Sequence, residues 1–281
     1  MMDRNVPLRC HATTMMLRVL IVLALLGTAA CGDVSTSAVD TSPLPRLQLP
    51  AALREVSGLA TLSQNELLTV TDEVATVYTI NLETGAVVEL FSLGKPVIQA
   101  DFEGITLAGN DVWLVTSRGV LYRAIDGAKG RPDTAFEVYS TGLKNKCEVE
   151  GLAFDTTQFL LVCKENFGKQ DLDKLMIYAW SPGDTKASKF IAKPFDELGA
   201  IQKLSPSGIS VDGDTIHIVA ARQSALLVID RAGKLLRTMT LKGHAQAEGI
   251  TLLSDGSIVI ADEGKIGGGV ISRYAGVSDN D

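Results

Sequence analysis

The chain lacks the common catalytic signatures. It contains no HExxH or Cys-x-x-Cys metal pattern, no GxSxG nucleophile elbow and no Gly-rich phosphate loop. These absences remove the zinc hydrolases built on HExxH, the serine hydrolases built on that elbow and the P-loop enzymes. It also lacks a basic stripe: 26 Lys and Arg stand against 33 Asp and Glu, for a net charge of −7. No nucleic-acid partner is expected from such a surface. The apolar run LRVLIVLALL at 17–26 falls well short of the ~20 residues that span a bilayer. Aromatic residues make up only 5% of the chain, and there are three histidines and four cysteines.

What remains is rich in turns and apolar residues. Gly accounts for 26 positions and 46% of the chain is hydrophobic. With 281 residues, it has room for one large all-β domain. The first thirty residues stand apart. Arg18 precedes the short apolar run, which ends in Gly27-Thr28-Ala29-Ala30 and then Cys31. A charged start, a short apolar core and a small-residue exit describe an export signal. With the cysteine directly behind, residues 1–30 resemble a bacterial lipoprotein signal peptide. The resemblance implies a lipid on Cys31 and a membrane partner reached through that lipid. It places the protein in the bacterial cell envelope, on the periplasmic or surface face. Thr28 stands where that family carries Leu or a similar residue, and an ordinary cleaved signal with a chance cysteine is the alternative. Residues 31–45, polar and without periodicity, read as a flexible tether.

The body of the chain repeats one phrase: EVSGLAT, DFEGITL, VEGLAF, SPSGISV and QAEGITL. Aligned on Gly58, Gly104, Gly151, Gly208 and Gly249, each phrase opens an apolar run. A second run ends on a polar or charged pair, and a third follows. A fourth run closes the first four units. Short Val-, Ile-, Leu- and Thr-rich segments recurring every forty to fifty residues predict an all-β fold, a β-propeller of five four-stranded blades. Six blades is the alternative if the long third unit hides one more. The fifth unit lacks its last strand, and RLQLP at 46–50 is expected to supply it from the N-terminal side. The propeller domain is set at 46–276, with a disordered C-terminal tail at 277–281.

Propeller geometry converts the repeat into a site. The innermost strand of each blade starts, and the second strand ends, at one face. Two sets of residues therefore converge on one channel mouth: Ser57, Glu103, Glu150, Ser207 and Glu248, then Glu73, Arg118, Glu165, Arg222 and Glu263. Three carboxylates gathered on an axis need a cation, a shared proton or nearby arginines. Three readings stay open: neutralisation by Arg118 and Arg222, a hard cation such as calcium, or an organic ligand. Cys147 and Cys163 flank one hairpin, where export permits a disulfide. His217, inside IHIVA, reads as packed, and His244, in KGHAQAEG, reads as a solvated loop residue.

The phrases SGLA, DFEGI, CEVEGLA, CKE, SPSGI and AEGIT, in this order, resemble the SdiA-regulated (YjiK-type) family of envelope-associated β-propeller proteins. The resemblance implies a propeller, an exported or membrane-associated location and no settled activity. Two functions from different classes follow. One is a lipid-anchored, monomeric binding module whose mouth holds a small ligand or an envelope protein, with calcium as the candidate cofactor. The other is a calcium-dependent hydrolase of an ester, lactone or phosphoester, for which the sequence offers no assignable catalytic residue. A protein-interaction scaffold is a third.

Overall fold

The structure is a computed structural model, and it describes residues 46–199 and 203–275. The signal segment 1–30, Cys31, the tether to residue 45 and the tail 277–281 lie outside the described residues. The described chain folds into five four-stranded antiparallel sheets. Blade one holds β2 (Val56–Ser63), β3 (Glu66–Thr71), β4 (Thr76–Asn81) and β5 (Val87–Ser92). Blade two holds β6 (Phe102–Ala108), β7 (Asp111–Thr116), β8 (Val120–Ala124) and β9 (Phe136–Ser140). Blade three holds β10 (Cys147–Asp155), β11 (Gln158–Asn166), β12 (Lys174–Trp180) and β13 (Ser188–Pro194). Blade four holds β14 (Gly208–Asp212), β15 (Thr215–Ala220), β16 (Ala225–Asp230) and β17 (Leu235–Thr240).

Blade five is assembled from both ends of the described chain. β18 (Ala247–Leu252), β19 (Ile258–Asp262) and β20 (Val270–Tyr274) are completed by β1 (Leu47–Gln48). Leu47 pairs with Ile271 and Gln48 with Val270, so the expected closing strand is present but only two residues long. The seam has further ties. The Gln48 side chain donates to the carbonyls of Gly268 and Gly269, and the Arg46 guanidinium donates to the Gly243 carbonyl. The structure has five blades and not six, because the extra length of the third unit goes into longer strands and surface turns.

Side chains alternate across each strand, so every sheet is apolar on both faces and the blades stack through five separate cores. Between blades two and three, Trp113, Phe159 and Trp180 pack with Tyr139. Between four and five, Val219, Leu226 and Met239 meet Ile250, Ile258, Ile260 and Tyr274. The axis explains the repeated glycine. A Cβ built on Gly104 would lie 2.8 Å from the Leu152 nitrogen, and one on Gly151 3.0 Å from the Ile209 nitrogen. One on Gly208 would lie 3.0 Å from the Glu248 carbonyl oxygen, and one on Gly249 3.0 Å from the Gly58 carbonyl carbon. Each glycine thus admits the innermost strand of the next blade, and the last returns to the first.

The residues just before these glycines are positioned by irregular pairing. The ladder between the first two strands slips between Val56 and Leu59, Phe102 and Gly104, Val149 and Leu152, and Ala247 and Gly249. Ser57, Glu103, Glu150 and Glu248 fall inside these bulges. A bulge leaves its extra residue unpaired and re-aims its side chain, here toward the axis and away from the blade cores. A second slip, between Glu148 and Val149, serves the cysteines. Cys147 lies opposite Asn166 and Cys163 opposite Val149, yet the two are bonded, with Cα atoms 5.8 Å apart.

Candidate functional site

At the mouth, Glu150 is 2% exposed and accepts from the Lys164 ammonium at 3.0 Å. Lys164 sits one strand over, near the end of β11. Glu103 Oε2 accepts from the Ser57 hydroxyl at 3.1 Å, a bond that joins blade one to blade two. Burial pushes Glu103 far above the ordinary carboxylate range, and the charges of Glu150 and Asp101 push it further. Burial raises Glu150 as well, but Lys164 pulls it partly back. Both are therefore held toward the protonated form at neutral pH, with Lys164 opposing that at Glu150. Burial would depress Lys164, yet the surrounding Glu150, Glu148 and Glu248 hold it above its usual value.

The acidic field continues around the rim. Glu248 is raised to about 7 by burial and by Glu263. Glu263 is raised to about 7 by burial, Asp72 and Glu55, and Gln246 donates to it at 2.5 Å. Asp72 is raised to about 6 by burial and by Glu55, Glu73 and Asp101. One half-buried ammonium thus serves a group of carboxylates drawn from blades one, two, three and five. The arrangement can bind cations, and it can take up or give up protons near neutral pH.

Several sequence expectations need correction here. Arg118 and Arg222 do not neutralise the inner carboxylates. Both are exposed; Arg222 reaches only Glu165, at 3.4 Å on the rim, and Arg118 forms no ion pair among the described residues. The reason is register: the buried carboxylate is met one position earlier in the second strand, by Lys164 and not Glu165. Glu73 is exposed, and only its charge reaches the site, through Asp72. Ser207 does not face the carboxylates. Its hydroxyl donates to the Ala247 carbonyl at 2.6 Å and accepts from the Ala221 N–H at 3.1 Å, so it pins blade four to blade five.

His244 is also buried, not solvated. Its side chain is 1% exposed, its Nδ1 lies 2.6 Å from Asp262 Oδ2, and its Nε2 meets the Tyr274 hydroxyl. This Asp–His–Tyr chain braces the closing blade. Its members lie in three different segments with no shared spacing, so nothing in the sequence joins them. His217 is packed in β15, as its place in the strand predicts.

A family model described as SdiA-regulated matches residues 192–267. Over that span the chain matches the SdiA-regulated family. The SdiA-regulated match runs through blade four and the first two strands of blade five. It includes Glu248 and Glu263 of the mouth and Arg222 on its rim. No curated protein sequence matches the chain. Among solved structures, glutaminyl cyclase from Myxococcus xanthus is similar, with a TM-score of 0.57 at 15% identity, over 84% of this chain and 97% of that one. The PQQ-bound aldose sugar dehydrogenase from Streptomyces coelicolor is similar with a TM-score of 0.55 at 17% identity, over 83% and 96%. At these identities the likeness shows the propeller fold alone.

Proposed function

We propose that this chain is a binding module of the bacterial envelope, held there by a lipid on Cys31, whose acidic mouth receives a cationic ligand. One observation carries the reading: bulge-borne Glu103, Glu150 and Glu248 converge where half-buried Lys164 is the one cation paired with an inner carboxylate among the described residues. An organic ammonium suits this floor because each N–H can be taken by a carboxylate oxygen. Calcium fits it less well. A hard cation seeks about six to eight oxygens. Among the described residues no group of three or more His, Cys, Asp or Glu is spaced to hold one metal ion, and an ammonium already sits against Glu150.

Calorimetric titration with diaminobutane and, separately, with calcium tests this. Diaminobutane is expected to bind with proton release, visible as a heat that depends on the buffer. Its affinity should rise from about pH 6 to about pH 8 as Glu248 and Glu263 ionise. Glu248→Gln should weaken it about tenfold, the value of one charge-assisted hydrogen bond. Calcium binding alone would point to a metal-centred mouth, and binding of neither overturns the reading. The anchor has its own check. Cells fed radiolabelled palmitate should label the wild-type chain, and Cys31→Ser should abolish the label and release the protein from the membrane fraction.

Glu248 and Glu263, held near neutrality, also support a second reading, hydrolysis with a mouth carboxylate as acid or base. Turnover of a generic ester, lactone or phosphoester that disappears in Glu150→Gln would establish it. A chain that neither binds cations nor turns over substrate would be left as an interaction scaffold.

A further inference from the structure

The end of the propeller away from the mouth holds a second concavity. A cavity of about 530 Å³ opens between blades four and five; its lining includes Asp212, His217, Val228, Arg237, Met239 and Ile258. Ligand cavities in proteins run to about 300–1,000 Å³. Its origin is a single departure from the repeat. In every blade, the residue two places after the axial glycine pairs with one residue of the second strand. That residue is Leu68, Trp113, Leu160, His217 or Val259. All five are buried, and only His217 is polar.

Next to blade three, Trp113 is covered by Phe159 at 4.3 Å between ring centroids and by Trp180 at 6.1 Å, so that cleft is full. In blade four, the row Val219, Leu226 and Met239 packs onto blade five. The following row, His217, Val228 and Arg237, lines the open space instead.

The polar groups of this row have little to do within the fold. Thr215 spends its one hydroxyl hydrogen on the Asp212 carbonyl at 2.9 Å, so its oxygen accepts from His217 Nε2–H at 3.1 Å. His217 Nδ1 is left buried without a partner. Arg237 makes no hydrogen bond or ion pair among the described residues. Arginines on the third strand of two other blades each meet a carboxylate, Arg123 with Asp111 at 2.7 Å and Arg273 with Asp255 at 2.5 Å, whereas Arg237 stands on the fourth strand of blade four, opposite Val228. A half-buried guanidinium that pairs with no carboxylate among the described residues, in a cavity lined by polar Asp212, Thr215 and His217 as well as apolar Val228, Met239 and Ile258, matches an amphipathic ligand that brings its own anion.

We propose that the cleft between blades four and five is a binding site for a small amphipathic carboxylate. Its apolar body lies against Val228, Met239 and Ile258, and its carboxylate is on Arg237. The site is separate from the mouth, with opposite charge preference, and does not depend on the mouth's function.

Fluorescence titration of the intact chain with naphthylacetate, naphthylethanol and naphthylethylamine tests it. Naphthylacetate is expected to bind saturably, about tenfold tighter than the neutral alcohol, as a charge-assisted contact requires. Arg237→Gln should erase that preference. His217→Trp, which places in blade four the residue that fills the neighbouring cleft, should abolish binding of both without lowering the melting temperature. Should His217→Trp misfold, the Arg237→Gln comparison still decides. Absence of saturable binding, preference for the amine, or an anion preference unchanged in Arg237→Gln overturns the proposal.

Discussion

Raising the pH from about 5 to about 8 is expected to destabilise the folded chain by at least about 4 kcal/mol, the cost of one carboxyl kept protonated across that range. The cause is the mouth. Glu103, Glu150, Glu248 and Glu263 are all held above 4.5, the value they take when unfolded, and Asp72 is held above 3.8. Between those values and their raised ones, the folded chain binds more protons than the unfolded chain. Stability from such groups is complete below the unfolded values and is lost as pH climbs through the folded ones. The figure counts a single carboxyl and leaves out the less buried Asp72 and Glu263, where water screens the charge. Urea unfolding at a series of pH values measures it. Glu103→Gln should flatten the profile, stabilising the protein near pH 8 and changing little near pH 5. A profile flat in the wild type would contradict the burial assigned to these carboxylates. Below about pH 4 the trend reverses. Asp155, held low by Arg231, and Asp171, held low by Lys189, lose their ion pairs as they protonate.

Lys164→Met is expected to cost about 3 kcal/mol near pH 8 and about 1 kcal/mol near pH 5. The methionine keeps the bulk of the stem and removes the ammonium. Glu150, 2% exposed, then has no opposite charge within reach. At high pH the folded chain must bury an unpaired carboxylate or keep it protonated against the solution, and both are unfavourable. At low pH the carboxyl is neutral in either variant, so less is lost. The same urea series reports the effect. Adding Glu150→Gln to Lys164→Met should restore most of the loss near pH 8, because the double change leaves no orphan charge. Equal costs at both pH values would show that Lys164 contributes packing and not charge.

The fold was legible because its determinants recur. Five glycines at like spacing reflect one constraint, the crowding of innermost strands, and β1 could be expected because the fifth unit stops at Tyr274 without a fourth strand. The carboxylates at Glu103, Glu150 and Glu248 stood in the same place of the phrase, so their meeting was readable too. Their partner was not. Whether Lys164 or Glu165 turns inward depends on the slip between Glu148 and Val149, which leaves Lys164 unpaired, and a one-residue change of pairing reverses which side chain faces the axis. Ser207 departed because blade four pairs regularly from Gly208 onward, leaving its hydroxyl beside backbone partners. His244 joins Asp262 and Tyr274 across three segments, and such tertiary contacts leave no periodic trace.

The two-residue length of β1 has a mechanical consequence. Tension applied upstream of Arg46 enters the molecule at the outermost strand of blade five, where two ladder pairs and a few side-chain ties must resist it. That joint peels one bond at a time, whereas the other four blades have no loose end to grip. Under load the propeller therefore yields first at this one place, opening from a closed ring into an arc while blades one to four keep their shape.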